Sequence, residues 1–234
     1  MEQRVLSKSP TRSRPEARAT AITRARYARI AAVYDAMEGL AERRSRPWRV
    51  RLWELVSRAL PPRGRLLEVG VGTGKNMPFW PKSVEITAID VTPAMLEWAR
   101  RRAERLGLAA QLDLGDVQDL PHADGTFDVA VATFVFCSVP DPVLGLQQLR
   151  RVVRPGGAVV LMEHVRSDNP TLGRAMDLLN PPVVRLVGAN INRHTVANVG
   201  KAGLLLEQVE DLGAGGIFKL ILAWVPGGAS PPRD

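Results

Sequence analysis

The sequence is short of cysteine, short of aromatic side chains and without a long apolar run. Its 234 residues include a single cysteine, Cys137, which can form neither an internal disulfide nor a zinc site built from thiolates. No segment reaches the ~20 apolar residues that a membrane-spanning helix needs, and residues 1–20 lack the apolar core of a secretory signal. We therefore expect a cytoplasmic protein, soluble or peripheral at a membrane, with no metal site.

Basic charge is concentrated in the first quarter of the chain. The formal net charge is +8, yet residues 1–65 hold sixteen basic and six acidic residues, and the remainder has a small acidic excess. Residues 1–20 are rich in Arg, Ser and Pro, which predicts a disordered basic tail. Such an arm could be solvated, or it could contact an anionic membrane surface or nucleic acid. Because aromatic residues are only 5% of the chain and no nucleic-acid motif is present, we expect no nucleic-acid partner.

Helical periodicity follows this tail. Apolar residues recur at helical spacing from Thr23 to Leu40, and again after Pro47 until Pro61-Pro62. Because Pro47 separates the two patterns, we predict two amphipathic cap helices within residues 21–62.

From Arg65 onward, short apolar runs alternate with helical segments. This is the pattern of a mostly parallel sheet with helices on both faces. The predicted strands are residues 65–69, 84–90, 110–114, 128–133, 158–164, 204–210 and 217–224. The predicted helices between them are residues 75–80, 93–106, 142–153 and 195–202. A short glycine-rich turn joins the last two strands, which predicts a C-terminal antiparallel hairpin and seven strands in all.

An irregular segment, residues 167–193, reads as an insertion over the carboxyl edge of the sheet. Pro170 and Pro181-Pro182 interrupt a predicted helix near residues 172–179. Specificity for an acceptor is expected here, although Asn180, Asn192 and His194 are more simply loop residues. Residues 227–234 are predicted to form a flexible tail.

A glycine-rich turn follows the first predicted sheet strand, with the sequence EVGVGTG over residues 68–74. A Walker phosphate loop is excluded, because Val69 and Asn76 occupy positions that require Gly and Ser or Thr. A dinucleotide loop is weakened, because Lys75 stands where the third glycine belongs. Asp90 lies 20 residues beyond Gly70, where a carboxylate can accept hydrogen bonds from a ribose diol.

The pattern acidic-x-Gly-x-Gly-x-Gly resembles motif I of the class I S-adenosylmethionine (SAM) dependent methyltransferases. Further segments match that family in order, namely residues 115–117 (GDV), residues 127–129 (FDV), residues 149–157 (LRRVVRPGG) and the final hairpin. The resemblance covers about residues 27–225 and implies a Rossmann-like α/β fold, a SAM-binding domain over residues 63–226 and SAM as cofactor.

The resemblance also implies roles for single residues. The glycines would face the methionine part of SAM, Asp90 the ribose, Met95 an adenine face, and Asp116 with Val117 the adenine edge. Tyr34 would close the N-terminal helix over the cofactor, and Glu68 would either organise the loop or reach the ligand's ammonium group. The implied cofactor-binding residues are Tyr34, Glu68, Gly70, Gly72, Gly74, Asp90, Val91, Met95, Asp116, Val117 and Thr133.

His164 ends the fifth predicted strand and is the candidate base, because imidazole titrates near neutral pH. A structural histidine is the competing interpretation. Cys137 is interpreted as pocket wall, since methyl transfer from SAM needs no covalent enzyme intermediate.

Within the family, the chain resembles the branch of ubiquinone/menaquinone C-methyltransferases, bacterial phospholipid N-methyltransferases and mammalian thiol methyltransferases. Residues 67–74 (LEVGVGTG) resemble the phospholipid enzymes. Residues 136–139 (FCSV), 162–165 (MEHV) and 190–193 (NINR) resemble the thiol enzymes more closely. The implied substrate is a small or lipid-like molecule: a thiol, a phospholipid amine or a quinol. The open alternatives are an NAD(P)-dependent Rossmann oxidoreductase and an RNA-modifying methyltransferase that uses the basic arm.

Overall fold

The computed structural model describes residues 14–227, without the side chains of residues 14–17, 30, 32–44, 187 and 214. The strands are β1 (Arg65–Val69), β2 (Glu85–Asp90), β3 (Gln111–Leu114), β4 (Phe127–Thr133), β5 (Val153–His164), β6 (Leu205–Asp211) and β7 (Phe218–Trp224). They form a seven-stranded sheet with the strand order β3-β2-β1-β4-β5-β7-β6. The helices are α1 (Arg14–Ala59), α2 (Pro93–Leu106), α3 (Pro142–Val152), α4 (Pro170–Val187) and α5 (Thr195–Lys201).

The sheet confirms the predicted α/β class. Strands β3, β2, β1, β4 and β5 run parallel to one another, and β7 runs antiparallel to both β5 and β6. The central strands are almost wholly buried because helices cover both faces of the sheet.

Alternate residues of each strand supply two separate hydrophobic clusters. In β1, Leu67 belongs to the cluster beneath α3 and α5, whereas Leu66 belongs to the cluster beneath α1 and α2. Ligands of open α/β sheets bind at the carboxyl ends of such strands, so this topology places any site at the edge where β1, β2 and β4 end.

The N-terminal predictions need correction. One helix, α1, replaces the two predicted cap helices and contains Pro47. It continues past the proline because side chains on the C-terminal side pack against the sheet, including Trp48 against Phe218 and the buried Leu52. Residues 14–20, predicted as part of a disordered tail, are helical, and Thr20 is buried. Residues 1–13 lie outside the described part of the chain.

Two later elements also differ from prediction. The predicted helix over residues 75–80 is only a single 3-10 turn, Met77–Phe79, because Gly74 and Pro78 limit helical hydrogen bonding. The predicted irregular insertion contains the continuous helix α4, which passes through Pro181 and Pro182. Its ends are well defined: the Asn169 side chain caps the first turn, and Gly188 adopts a left-handed conformation after the last.

Candidate active site

An open cleft of about 780 Å³ lies at the carboxyl ends of β1, β2 and β4. Eight of the implied cofactor-binding residues line it, namely Gly70, Gly72, Asp90, Val91, Met95, Asp116, Val117 and Thr133. The fold therefore brings together side chains that are up to 63 positions apart in the sequence.

The glycine turn after β1 shapes one wall of the cleft. Gly70 and Gly72 adopt positive φ values of 67° and 56°, a backbone conformation that other residues rarely take. A Cβ on Gly70 would overlap a methyl carbon of Val135, whereas a Cβ on Gly72 would meet nothing within 4 Å. Gly70 is thus required by packing, and Gly72 leaves its part of the cleft open to a ligand.

Gly74, the third glycine of the motif, packs against the turn that follows it. It does not line the cleft, and its Cβ would lie 2.7 Å from the sulfur of Met77. The third glycine of the motif therefore allows the 3-10 turn to pack closely behind the loop.

Asp90 is held at the end of β2 by two backbone donors. The N–H of Thr92 donates to Oδ1 at 2.8 Å, and the N–H of Gly72 donates to Oδ2 at 2.9 Å. Burial raises the pKa of Asp90, while these hydrogen bonds act to lower it. Because a carboxylate offers about four lone-pair sites, each oxygen can still accept a hydroxyl. This geometry suits a vicinal diol such as a ribose.

The opposite end of the cleft combines a carboxylate with apolar walls. Asp116 accepts hydrogen bonds from the backbone N–H of Gln118 at 2.9 Å and from the Thr20 hydroxyl at 3.1 Å. Met95 and Val117, both buried, lie beside it. A polar edge between apolar faces fits a flat heterocycle such as adenine.

Helix α1 covers the cleft with residues that the sequence did not indicate. Thr20, Thr23 and Tyr27 line the cleft at helical spacing. The Tyr27 hydroxyl lies 2.7 Å from the Ser138 hydroxyl, and the Arg24 Nε donates to the carbonyl of Val91 at 3.0 Å. Polar residues at positions 20, 23 and 27 share one helix face, and this spacing is the sequence feature that could have identified them as residues of the cleft. The side chain of Tyr34, the residue implied for this role, lies outside the described part.

Glu68 lies behind the glycine turn. It is fully buried, does not line the cleft, and accepts hydrogen bonds from Asn76 Nδ2 at 2.9 Å and Trp80 Nε1 at 2.6 Å. Burial raises its pKa to about 7, and the two side-chain donors limit the rise. Asn76 also donates to Thr133, which does line the cleft. Of the two roles implied for Glu68, this position fits the organisation of the loop.

His164 stands at the end of β5 in an aromatic cluster and outside the lining of the cleft. Its ring packs edge-on against Phe218 at 5.2 Å, and Phe218 contacts Phe134, which lines the cleft. Burial lowers the pKa of His164, which keeps the imidazole neutral at pH 7. Cys137 is buried and burial raises the pKa of its thiol to about 12, so it is not a reactive thiolate.

Glu163, next to His164, is a functional candidate that the sequence analysis passed over. It is fully buried, and its Oε1 accepts the backbone N–H groups of Val135 at 2.9 Å and Phe136 at 3.1 Å. Burial raises its pKa to about 7. An ionisable residue inside the apolar strand β5 is the sequence feature that could have identified Glu163 as a candidate. Glu163 fixes the loop after β4, which supplies several residues of the cleft.

Comparisons with known proteins agree with this geometry. Residues 67–161 match a family model described as a methyltransferase domain. The chain is 32% identical to the demethylmenaquinone methyltransferase of Deinococcus radiodurans over 187 residues, which is 78% of this chain and 75% of that protein. It is 40% identical to the thiol S-methyltransferase TMT1B of Homo sapiens over 108 residues, which is 43% of this chain and 42% of that protein.

A similar fold is found in a solved SAM-dependent methyltransferase from Methanosarcina mazei. Its TM-score is 0.61 at 22% identity, with 74% of this chain and 97% of that chain covered. The chain spans about half the length, from 42% to 60%, of three of the curated relatives that it matches.

Proposed function

The chain belongs to the class I SAM-dependent methyltransferases, and we propose that it transfers a methyl group from SAM to a small lipophilic thiol. SAM is its cofactor. The oxidoreductase alternative fails, because the family is a methyltransferase family. The observation that carries the proposal is the cleft in which Asp90, Gly72 and Asp116 converge at the carboxyl ends of β1, β2 and β3.

The residues of the cleft fit the parts of SAM. In our proposal the two Asp90 oxygens accept the ribose hydroxyls, the open side of Gly72 admits the methionine part, and Asp116 with Val117 binds the adenine edge. When bound, SAM supplies a sulfonium methyl that is already activated for in-line displacement. The protein's own contribution is then to position the acceptor and to exclude water, which Thr20 and Tyr27 of α1 do by covering the cleft.

Three segments that resemble thiol methyltransferases support a thiol acceptor. Residues 136–139, 162–165 and 190–193 are far apart in sequence, yet they meet beside the cleft. Asn190 donates from its backbone and side chain to the carbonyl of Cys137, at 2.9 and 3.0 Å. Arg193 Nη2 donates to the carbonyl of Val139 at 2.8 Å, and Glu163 holds Val135 and Phe136. The convergence supports an acceptor pocket of the thiol type.

A thiol acceptor also requires little acid–base assistance from the protein. A thiol with a pKa near ~8.5 supplies a few per cent of thiolate at neutral pH without a base. We therefore propose that His164 forms an apolar and aromatic wall with Phe218 and Phe134. Its role as a general base stays a prediction, since the neutral imidazole would have to reach the acceptor from outside the lining of the cleft.

The location of the enzyme is part of the proposal. In the described residues no helix is long and apolar enough to cross a membrane. We propose a cytoplasmic enzyme that contacts the anionic surface of a membrane, where a lipophilic acceptor would be concentrated.

The first experiment is transfer of labelled methyl from SAM by the purified chain. Parallel reactions contain a small alkyl thiol, vesicles with phosphatidylethanolamine, a quinol, and a tRNA pool. We expect label on the thiol and none above background elsewhere. Label on the lipid, the quinol or the RNA, with none on the thiol, would show that the acceptor belongs to a different class. It would leave the assignment as a methyltransferase standing. Lack of SAM binding would overturn the proposed use of the cleft.

A further inference from the structure

Helix α4 presents an apolar face to solvent. Leu178 and Leu186 are 79% and 86% exposed, and Leu179 is 54% exposed. Positions three, four, seven or eight apart lie on one side of a helix. The exposed apolar residues that share this side are Ala175, Leu178, Leu179, Pro182 and Leu186, here called the α4 face.

Contacts on the opposite side of α4 fix this orientation. Met176 is buried, and its sulfur accepts the backbone N–H of Ser167. Asp177 forms a bidentate ion pair with Arg166, in which Nε donates to Oδ1 at 3.0 Å and Nη2 donates to Oδ2 at 2.8 Å. Asn180 accepts the backbone N–H of Ile191 at 2.9 Å. These bonds hold the helix by its polar side, so the leucines are turned away from the protein.

Arginines border the α4 face along one edge and near its C-terminal end. Arg174 and Arg185 are exposed along its edge. Helix α1 lies next to the C-terminal end of α4, because a Cβ on Gly188 would be 2.9 Å from Cδ of Arg26. Residues 18–29 of α1 contain four arginines and no acid. An exposed apolar stripe bordered by arginines is the pattern of a helix that lies in a membrane interface.

We infer that the α4 face and the arginines around it form a docking surface for an anionic lipid bilayer. The leucines would enter the interface, and the arginines would bind lipid phosphates. A second copy of the chain fits less well, because two such surfaces would bring arginines of the same sign together. The inference deepens the proposed membrane contact, on which it rests, by naming the surface that makes it.

The position of the surface suits a lipophilic acceptor. Asn180 of α4 donates to the Asn190 side chain, and Asn190 in turn holds the carbonyl of Cys137, next to Ser138 in the lining of the cleft. The helix that would lie on the bilayer is therefore linked through Asn190 to the loop that forms the wall of the proposed acceptor pocket.

The test is sedimentation of the full chain with vesicles. The double variant Leu178→Ser with Leu186→Ser is compared with the wild type on vesicles of phosphatidylglycerol in phosphatidylcholine. We expect the variant to partition at least about tenfold more weakly, and the wild type to prefer these vesicles over pure phosphatidylcholine. The matched control is Leu106→Ser with Leu205→Ser, which changes two exposed leucines elsewhere on the surface. We expect this control to partition like the wild type.

Several outcomes would overturn the inference. The first is equal partitioning of the α4 variant and the wild type, and the second is absence of wild-type binding to anionic vesicles. The third is a dimer that sedimentation velocity detects in the wild type but not in the α4 variant. Circular dichroism and SAM binding confirm that both variants fold. Methyl transfer to a water-soluble thiol is measured separately. Leucine-dependent vesicle binding without any methyl transfer would support the docking surface and defeat the proposed function.

Discussion

Asp90 is the residue on which binding of the cofactor most directly depends. It ends β2 inside the cleft, and its two oxygens already accept the N–H groups of Gly72 and Thr92. Asp90→Ala removes the hydrogen-bond acceptor for the ribose hydroxyls. It also leaves the N–H groups of Gly72 and Thr92 without their carboxylate acceptor. A hydrogen bond to a charged group contributes about 1.5–3 kcal/mol. We therefore expect the Kd for SAM, measured by calorimetry, to rise about tenfold to a hundredfold.

A matched variant separates this effect from loss of charge alone. Asp124→Ala removes a carboxylate that is 82% exposed and paired with Arg151, outside the cleft. It should bind SAM like the wild type. Wild-type affinity in the Asp90 variant would show that this carboxylate does not contact the cofactor.

Single residues also show how far the sequence predicts the site. Asp90 and the glycines belong to short motifs tied to strand ends, so their spacing alone places them at the carboxyl edge of the sheet. Thr20 contacts Asp116, 96 positions away. No local pattern encodes such a pair, because it depends on where the sheet directs α1. Glu163 was missed for a similar reason, since its partners are the backbone N–H groups of another loop.

At the scale of elements, α1 acts as a lid over the cleft. Thr20 and Tyr27 attach it to Asp116 and Ser138 by side-chain hydrogen bonds. The double variant Thr20→Val with Tyr27→Phe keeps the shape of both side chains and removes the bonding hydroxyls. Since each bond contributes about 0.5–1.5 kcal/mol net, release of SAM in stopped-flow should be roughly fivefold to a hundredfold faster.

The control for the lid variant is Thr126→Val. Thr126 makes an equivalent side-chain hydrogen bond, to the carbonyl of Ala123, in an exposed turn. Its release rate should equal that of the wild type. An unchanged rate in the lid variant would mean that α1 does not retain the cofactor through these hydroxyls.

Elements differ in how well the sequence predicts them. Helix α2 is found over the predicted residues because Pro93 begins it and Gly107 ends it, and both signals are local. The prolines within α1 and α4 suggest helix ends that the structure does not have. Packing of the neighbouring turns outweighs the helical hydrogen bond that each proline lacks. Local signals therefore define elements that begin and end at strong caps, whereas tertiary contacts define the long helices.

For the whole molecule, one helix connects the cleft to the proposed membrane surface. Thr20 and Tyr27 of α1 line the cleft, while Arg18 and Arg29 on the same helix are exposed. A bilayer that binds these arginines would stabilise the position of α1 through its exposed side. SAM in the cleft would stabilise the same helix through Thr20 and Tyr27. Each ligand would then favour the helix position that the other requires, which is the condition for coupled binding.

Stability against pH is a further property of the whole molecule. Glu68 and Glu163 are buried on opposite faces of the sheet, and burial raises the pKa of each from 4.5 to about 7. Between these values the folded chain binds more protons than the unfolded chain. The free energy of unfolding should therefore fall as the pH rises from 4.5 to 7, with each carboxyl contributing at most about 1.4 kcal/mol per pH unit.

Variants isolate these two carboxyls from other titrating groups. His164 acts in the opposite direction, since burial lowers its pKa. Glu68→Gln and Glu163→Gln keep an oxygen acceptor and cannot ionise, so denaturant unfolding should show a less negative slope with pH than the wild type. The exposed Glu207→Gln should leave the slope unchanged. Equal slopes in all four proteins would mean that both carboxyls stay ionised in the fold, held by their hydrogen-bond donors despite the burial.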